Sequence, residues 1–209
     1  MNVLVIAPHP DDEVIGSGGS LCLHADAGDR ITAVFLTSGE LGLKHLPRDE
    51  AQRLREREAE KAGQILGLAC IEFLRGPDWS IGAARKSLVR DIAALLVRER
   101  PSLIYLPHPD DGHPDHRASW PILRAALKRS EISRPKLRLY EVWTPLDAFG
   151  LVTDVTPVMP RKLHALRAHR SQLREFDYVR AVRGLNQFRG ALAARCDYAE
   201  VFQTLSPKP

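Results

Sequence analysis

The sequence predicts an α/β fold, a three-layer domain with a mostly parallel sheet flanked by helices. Short apolar runs alternate with longer segments of helical periodicity along most of the 209 residues. The apolar runs are nearly continuous instead of alternating with polar residues, which indicates strands that are buried on both faces. No internal repeat, low-complexity segment or linker interrupts this pattern, so we expect a single domain over residues 1–209.

Each element follows from its own pattern. Strands are predicted at residues 3–7, 31–37, 71–74, 102–106 and 136–143, and helices at 13–28, 48–66, 83–99 and 118–129. From residue 157 onward the chain is predicted to be mostly helical, and residues 198–205 form either a short final strand or a loop. Ligands of open parallel sheets bind at the carboxyl ends of the strands, so the loops there are the first place to look for a site.

Composition narrows the class of protein. The longest apolar runs are well short of the roughly 20 residues that a membrane span needs. The first ten residues lack the basic and long apolar regions of a signal peptide, so we expect a cytoplasmic protein with no membrane span. Cys22, Cys70 and Cys196 are scattered and odd in number, which indicates reduced thiols and argues against a disulfide framework or a thiolate zinc site.

The net charge of +4 does not indicate a nucleic-acid-binding protein. The basic residues are interleaved with glutamates, as in QRLREREAEKAG at 52–63, instead of forming a patch. This pattern is typical of solvated helix faces with ion pairs between successive turns. A mild positive field favours, at most, an anionic small molecule.

The pentapeptide PHPDD occurs twice, at residues 8–12 and 107–111, each time at the end of a predicted strand. A proline directly after histidine suits the first turn of a helix, where no backbone N–H is needed. If a helix begins at Pro10, His9 and Asp12 lie on one face and can converge on one ion, while Asp11 stays free to act as a base. The first copy therefore predicts half of a metal site.

The second histidine-rich stretch continues as GHPDH at 112–116, and here a helix can begin only at Pro114. His113 and His116 then lie within one turn, and the PHPDD before them is predicted to be loop, so His108 and Asp110 are not expected as ligands. Two histidines and a carboxylate give zinc three protein ligands and leave a position open for water. Two capped helix N-termini would explain the aspartates but not the three histidines.

These motifs resemble those of a known family. VLVIAPHPDDE is similar to the (A/P)HPDDE signature, and GHPDHRA to the HPDHxA signature, of the PIG-L/LmbE-like family of zinc-dependent N-acetylglucosaminyl deacetylases. The helix from Arg55 to Gly67 and the YAE at 198–200 correspond as well, so the resemblance covers nearly the whole chain. We therefore expect a single-domain, Rossmann-like hydrolase that removes the acetyl group from an N-acetylated amino sugar of the GlcNAc type.

The resemblance also implies the metal site. His9, Asp12 and His116 correspond to the metal ligands of the family. The expected cofactor is Zn²⁺, although a site of two histidines and one aspartate is not selective by itself and another divalent metal remains open. The expected partner is a small amino-sugar substrate, and homo-oligomerisation remains open because family members of this size are often oligomeric.

The resemblance assigns roles to five further residues. Asp11 resembles the general base that takes a proton from the nucleophilic water. His113 resembles the histidine that, when protonated, stabilises the oxyanion or protonates the leaving amine, and Asp115 the carboxylate that tunes this histidine pair. Arg55 resembles an arginine that contacts substrate, and Asp111 falls where relatives often carry an aspartate with a supporting or substrate-binding role.

Three other functions fit parts of the sequence. His113-x-Asp115 mimics the start of a non-haem Fe(II) facial triad, but that triad typically belongs to a β-sandwich barrel. The glycines of GSGG at 16–19 fail the dinucleotide-binding pattern because Leu21 stands where the last glycine is needed, so they are expected to allow close packing of helix on sheet. The main alternative is a zinc hydrolase of another amide or ester on a small-molecule conjugate.

Some roles stay open at this point. Glu13 completes the first motif, yet a plain role as an acidic first-turn residue is equally compatible with its position. Trp79 and Trp143 follow strand ends, where they either stack on a sugar ring or pack against the protein. The aglycone of the substrate is not defined by the motifs.

Overall fold

The computed structural model describes residues 1–133 and 135–205. A seven-stranded sheet lies at its centre, with strand order β3-β2-β1-β4-β5-β7-β6. The strands are β1 (Asn2–Ala7), β2 (Arg30–Phe35), β3 (Cys70–Phe73), β4 (Leu103–Pro107), β5 (Lys136–Tyr140), β6 (Leu151–Asp154) and β7 (Ala199–Leu205). The helices are α1 (Asp12–Asp26), α2 (Arg48–Leu66), α3 (Arg85–Glu99), α4 (Pro114–Ser130), α5 (Met159–Leu166), α6 (Arg170–Leu173) and α7 (Tyr178–Arg189).

Strands β1 to β5 pair in parallel, and β7 runs antiparallel to both of its neighbours. From β1 the chain proceeds outward through β2 to β3, then returns to the other side of β1 with β4. The sheet therefore has a topological switch point between β1 and β4, and the loops that follow these two strands diverge there. Such a crevice is where open α/β sheets bind ligands.

Two hydrophobic clusters cover the two faces of the sheet. Val3 and Val5 belong to one cluster, together with residues of α1, α2 and α5, whereas Leu4 and Ile6 belong to the other, together with residues of α3 and α4. Successive residues of a strand point to opposite faces, so β1 is buried on both sides. The predicted three-layer α/β fold with a mostly parallel sheet is confirmed.

The glycines of α1 allow the helix to lie close to its neighbours. A Cβ atom added at Gly16 would lie 2.1 Å from Tyr140 Cδ2, and one added at Gly19 would lie 2.5 Å from Val155 Cγ1. Both distances are shorter than any tolerable contact between carbon atoms. The predicted packing role of these glycines is confirmed.

Glu200, in the YAE segment, fixes the C-terminal strand to the middle of α1. Its carboxylate accepts hydrogen bonds from the backbone N–H groups of Gly19 and Ser20, at 2.7 and 2.8 Å. Lys162, which is fully buried, donates to Glu200 Oε1 at 2.7 Å and to Ile15 O at 2.9 Å. A buried charge is stable only when it is paired and hydrogen-bonded, as both of these are.

Several predicted boundaries were wrong. Helix α1, predicted at 13–28, runs from Asp12 to Asp26, and the start at Pro10 considered for the first motif does not occur because Asp11 has a φ of 121°. Strand β5 ends at Tyr140, short of the predicted residue 143. Of the two alternatives left open for residues 198–205, the strand forms, at Ala199–Leu205. Strand β6 was not predicted, since its four half-buried or exposed residues lack a continuous apolar run. The predicted helix start at Pro114 is confirmed.

Two further expectations concern the membrane and the thiols. Within residues 1–133 and 135–205, no helix is both long and apolar enough to cross a membrane. All three cysteines are free thiols, with Cys22 buried and the other two half-buried.

Candidate active site

The candidate site lies at the carboxyl edge of the sheet, at the switch point between β1 and β4. Residues 8–12 follow β1, residues 108–116 follow β4, and residues 74–81 follow β3. Because these strands are parallel, all three segments meet at the same edge. The structure brings together every residue that the two motifs contribute.

Three ligand-type atoms form a nearly equilateral triangle. His9 Nδ1 lies 3.2 Å from Asp12 Oδ2, His116 Nε2 lies 3.2 Å from the same oxygen, and the two nitrogens are 3.4 Å apart. Zinc binds such atoms at about 2.0–2.2 Å in tetrahedral geometry, which separates neighbouring ligand atoms by about 3.4 Å. The spacing of the three atoms therefore fits one tetrahedral ion.

Two other groups also bring possible ligand atoms within 4.8 Å of one another: His9 with His113 and His116, and His9 with Asp78 and Asp115. In the first group, His113 Nδ1 already accepts a hydrogen bond from the backbone N–H of Asp115 at 3.2 Å. In the second, both carboxylates accept backbone N–H groups of the neighbouring loops, as Asp12 Oδ2 also does from His9 at 2.8 Å. Asp12 Oδ2 lies closest to both histidine nitrogens, so the triangle with Asp12 is the better ligand set.

His9 is oriented by two carboxylates. Its Nε2 lies 3.3 Å from Asp115 Oδ2 and 3.2 Å from Asp78 Oδ1, which leaves Nδ1 facing Asp12. Burial lowers the pKa of His9, but the hydrogen bonds to Asp115, Asp12 and Asp78 more than reverse this and hold it well above its usual value. A carboxylate behind a histidine fixes the tautomer and raises the basicity of a metal ligand.

Asp111 stands in the same relation to His116. Its Oδ1 lies 3.0 Å from His116 Nδ1 and accepts from the N–H of His113, while Oδ2 accepts from the N–H groups of Trp143 and Thr144. The residue is fully buried and does not line the cavity. The expected substrate-binding role of Asp111 does not fit this position, because its oxygens are occupied by the protein itself.

Asp115 links His9 to the segment after β3. Besides its contact with His9, it accepts backbone N–H groups from Trp79 at 2.7 Å and Ile81 at 3.2 Å. Trp79 has a φ of 66°, which is strained for a bulky residue. Sequence reasoning missed Asp78 in this segment, although its place just after β3, at the shared edge, was a usable signal.

Asp11 occupies the N-cap position of α1 in a strained conformation, with φ 121° and ψ −26°. A non-glycine residue at positive φ costs on the order of 1–3 kcal/mol and persists only when its surroundings hold it. Here Glu13 Oε2 accepts the N–H of Asp11 at 3.1 Å, and Arg55 donates to Asp11 Oδ2 at 3.1 Å. The Asp11 side chain lines the cavity beside the triangle.

The two adjacent aspartates differ in acidity. Burial raises the pKa of Asp11 to about 7, partly opposed by the positive charge of Arg55. Burial acts on Asp12 in the same direction, but His116 and His9 hold the pKa of Asp12 well below its usual range. Titratable neighbours whose pKa values are pushed apart in this way commonly divide the acid–base roles of an active site.

Arg55 is almost completely buried, and its guanidinium is used mainly by the protein. It donates to Gly39 O at 2.7 Å and to Pro10 O at 2.6 Å, in addition to Asp11. A side chain at Gly39, which has φ 62°, would put its Cβ 2.1 Å from Arg55 Nη1. Arg55 therefore ties the loop after β2 to the first motif, and it also lines the cavity, where a substrate contact was expected.

Behind Asp11 lies a buried pair that sequence reasoning did not find. Burial and the neighbouring Asp11 raise the pKa of Glu13 to about 8, and burial lowers the pKa of His169 to about 3. Glu13 Oε1 and His169 Nε2 are 4.0 Å apart. His169 lies in the C-terminal helical region, where no motif pointed to the site.

His113 is the N-cap residue of α4 and lines the cavity. Burial and the positive charges of His9 and His116 lower the pKa of His113 to about 4. Its Nδ1 accepts the N–H of Asp115, so the neutral ring carries its proton on Nε2. These surroundings favour the neutral ring, and the protonated His113 that the resemblance implies stays a prediction.

Part of this group lines one cavity of about 1100 Å³. Its polar lining residues include His9, Asp11, Asp12, Arg55, Asp78, His113 and Gln172, and its aromatic ones are Trp79, Trp143, Phe176 and Tyr178. The volume slightly exceeds the range of about 300–1,000 Å³ that is usual for ligand pockets.

The chain is similar in sequence to known deacetylases. The family model for GlcNAc-PI de-N-acetylase, PIG-L, matches residues 4–127. A probable N-acetyl-alpha-D-glucosaminyl L-malate deacetylase 2 from Bacillus cereus is 30% identical over 183 residues, covering 82% of this chain and 83% of the relative. A diacetylchitobiose deacetylase from Thermococcus kodakarensis is 29% identical over 191 residues, covering 83% of this chain and 70% of the relative.

A solved structure extends the likeness to the fold. The N,N'-diacetylchitobiose deacetylase from Pyrococcus horikoshii superposes with a TM-score of 0.87 at 26% identity, covering 98% of this chain and 83% of that one. The range that the family model matches includes both histidine-rich motifs. The chain belongs to the PIG-L/LmbE family of N-acetylglucosaminyl deacetylases.

Proposed function

We propose that this protein is a metal-dependent hydrolase that removes the acetyl group from an N-acetylated amino sugar of the GlcNAc type. The observation that carries the proposal is the triangle of His9 Nδ1, Asp12 Oδ2 and His116 Nε2 with the Asp11 carboxylate beside it in the cavity. The deacetylases among its relatives support the same reaction.

His9, Asp12 and His116 would hold the ion, and zinc is the favoured one because two histidines and one carboxylate leave a position open. When bound, the metal supplies a Lewis acid and lowers the pKa of water from about 15.7 toward 7. Asp115 and Asp111 keep the two histidines in the tautomers that present Nδ1 and Nε2 to it. Other divalent ions also accept this ligand set.

Asp11 would act as the general base and then as the general acid. With its pKa raised to about 7 by burial, it can take a proton from water during attack on the amide carbon. It can then give that proton to the nitrogen when the C–N bond breaks, so that acetate and the free amine leave. Arg55 and Glu13 hold Asp11 in the conformation that this exchange requires.

His113 would stabilise the tetrahedral oxyanion as a neutral hydrogen-bond donor through its Nε2–H. A preorganised donor at the position of the developing charge contributes about 2.7–4 kcal/mol in comparable sites. Neutral histidine serves as such a donor where its surroundings depress its pKa, and burial, with positive charge at His9 and His116, lowers the pKa of His113 to about 4. As ligands the two histidines would be neutral, and the ion would supply the positive charge in their place. Asp115 is then a positioning residue, through His9 and through the N–H that it donates to His113.

The decisive experiment is an acetate-release screen of GlcNAc derivatives with zinc-loaded protein, combined with the Asp11→Ala variant. This variant should bind zinc normally and lose about 10²–10⁴-fold in kcat, the usual contribution of a general acid–base group. Asp110→Ala is the matched control, because the corresponding aspartate of the second PHPDD is exposed. Near-native kcat in Asp11→Ala would contradict the assignment of Asp11 as the general acid–base group.

The alternative is a hydrolase of another amide or ester that uses the same ion. Failure of every acetylated amino sugar in the screen, with zinc bound, would favour it. The single-domain organisation and homo-oligomerisation stay predictions.

A further inference from the structure

Exposed aromatic side chains are concentrated in the candidate cavity. Among the described residues, the aromatic side chains with more than a third of their surface exposed are Trp79, Trp143, Phe176 and Phe188, and the first three line this cavity. Large exposed apolar side chains that gather at one place mark a binding surface, whereas scattered ones do not. The three that gather here are about half exposed, at 58%, 50% and 55%.

Trp143, Phe176 and Tyr178 form a group, which we call the aromatic cluster. Their ring centroids are 6.0 Å apart for Trp143 and Phe176, 6.2 Å for Trp143 and Tyr178, and 5.6 Å for Phe176 and Tyr178. The edge-to-face contacts at Trp143 fix the rings against one another while part of each surface stays open to the cavity. Flat apolar surfaces of this kind bind other rings by stacking.

The cluster is held at a fixed place relative to the metal-ligand candidates. The backbone N–H of Trp143 donates to Asp111 Oδ2 at 3.0 Å, and Asp111 Oδ1 lies 3.0 Å from His116 Nδ1. One buried carboxylate thus joins the cluster to the catalytic end of the cavity. Whatever binds to the cluster is positioned with respect to the amide that reacts.

The lining of the cavity also contains an unpaired hydrogen-bond donor that a sugar can use. Gln172 is 7% exposed, lines the cavity, and its Nε2 has no hydrogen-bond partner in the structure. An unpaired buried donor is destabilising, and a substrate hydroxyl or carbonyl would pair with it. A single acetamido sugar, however, fills only part of a cavity of about 1100 Å³.

We infer that the aromatic cluster is the subsite for the group attached to the acetamido sugar, and that this group is an uncharged ring. The inference rests on the proposed deacetylase function. Glu175 lines the cavity next to Phe176 along the chain, and its negative charge disfavours an anionic group at the cluster. Lys44 and His45, on the segment after β2, are the lining residues that an anionic group would require instead.

The test compares kcat/KM for acetate release from four substrates with one acetamido sugar. They are free GlcNAc, its phenyl β-glycoside, its disaccharide with a second neutral pyranose, and its malate glycoside. A ring that gains about 1.4 kcal/mol by stacking on the aromatic cluster raises kcat/KM about tenfold. We expect the phenyl or pyranose compound, or both, to exceed free GlcNAc and the malate glycoside by this factor, and the two ring arms tell an aryl group from a sugar.

Trp143→Ala and Phe176→Ala test the residues themselves. Both should lower kcat/KM for the preferred ring substrate about tenfold, chiefly by raising KM, with a smaller loss on free GlcNAc, because the lost contact is with a part of the substrate that does not react. Phe188→Ala is the matched control, since Phe188 is as exposed as Phe176 but lies outside the cavity. This variant should leave kcat/KM unchanged for both the ring substrate and free GlcNAc.

The outcomes separate the two proposals. Acetate release from all four compounds without a ring preference, or equal losses on ring substrate and free sugar in the variants, overturns the aromatic subsite and leaves the deacetylase function standing. A preference for the malate glycoside that depends on Lys44 also overturns it. Release from none of the four overturns the proposed function and the subsite with it.

Discussion

The two PHPDD segments have the same five residues but different structural roles. In the first copy, residues 8–12, His9 and Asp12 supply two corners of the ligand triangle and Asp11 faces the cavity. In the second copy, residues 107–111, His108 Nε2 contacts Thr144 O at 2.8 Å and Asp111 supports His116 from behind. One copy carries the candidate chemistry, and the other holds the neighbouring loop in place.

The place of each copy relative to its strand explains the difference. Strand β1 ends at Ala7, directly before the first copy, whereas β4 includes Pro107, the first residue of the second copy. His9 is therefore the second residue after its strand, and His108 is the first after its own. The second histidine therefore does not take the place of the first, and the ligand on that side comes from His116, one turn into α4.

The residues after each copy sharpen the contrast. The first copy runs directly into α1, whose Glu13 accepts the N–H of the strained Asp11. The second runs into the exposed Gly112, and its helix begins only at Pro114. Identical sequence thus acquires different roles from its offset to the strand and from the residue after it.

Exchanging the two histidines for alanine tests this contrast with the largest expected effect. His9→Ala should lower metal affinity by more than about 100-fold, beyond the usual loss for an outer-layer partner, and activity should fall with it. His108→Ala should keep the metal and lose about 1–3 kcal/mol of stability, because Thr144 O loses its partner. Metal content after dialysis and thermal unfolding measure the two effects. Equal metal content in both variants would contradict the division of roles.

Asp111→Asn tests the supporting role of the second copy. The amide is a weaker acceptor for His116 Nδ1, which should reduce metal affinity about 10–100-fold, as is usual for carboxylates behind histidine ligands. Competition with a chelator measures the affinity. Asp110→Asn, at the exposed preceding residue, serves as control and should bind the metal normally. If Asp111→Asn changed only the KM for substrate, the substrate-binding role expected from the sequence would be restored.

The sequence was sufficient to predict the strands that are buried along their whole length. Strands β1 and β4 are apolar throughout because both of their faces are covered, so their runs were visible without a partner. The half-buried β6 carries no such run, and it forms because β7 lies beside it. Edge elements of this kind are defined by tertiary pairing, which a local pattern does not contain.

Within the site, sequence reasoning found the residues that lie inside a motif and missed those brought in by other loops. His9, Asp12, His113 and His116 come together as expected because each lies within one turn of a strand end or helix start. Asp78, Phe176 and Tyr178 come from segments with no motif, whereas Trp79 and Trp143 were noted for their place after strand ends and do line the cavity. The burial of Asp111 depends on the loop at Trp143 and Thr144, which lies about 30 residues away and whose path the sequence does not define.

Of the two PHPDD copies, Arg55 contacts only the first. Its removal should change the pH dependence of kcat/KM. Its positive charge opposes the effect of burial, which raises the pKa of Asp11 to about 7. Without that charge the pKa of Asp11 rises further, so the base is protonated at a higher pH. The acidic limb of the kcat/KM profile of Arg55→Met should therefore move upward by about one unit or more. If the limb stayed in place or moved downward, Arg55 would not be what lowers the pKa of Asp11.

The smallest effect is expected at Glu13, the residue that distinguishes the continuation of the first copy from the Gly112 of the second. Burial and Asp11 raise the pKa of Glu13 to about 8, so the carboxyl is mostly protonated at neutral pH and glutamine resembles it closely. Glu13→Gln keeps an oxygen that accepts the N–H of Asp11, and kcat/KM at pH 7 should stay within about threefold of the wild type.

Glu13→Ala removes that oxygen and leaves the strained Asp11 without its backbone partner. A loss of about 1.4 kcal/mol, within the usual cost of an unpaired buried N–H group, should reduce kcat/KM about tenfold while zinc content stays normal. The informative quantity is the difference in kcat/KM between the glutamine and alanine variants. If Glu13 only filled space, the two variants would have similar activity. If Glu13→Gln were as impaired as Glu13→Ala, the ionised carboxylate, and not the hydrogen bond to Asp11, would be what the first copy requires from the residue after it.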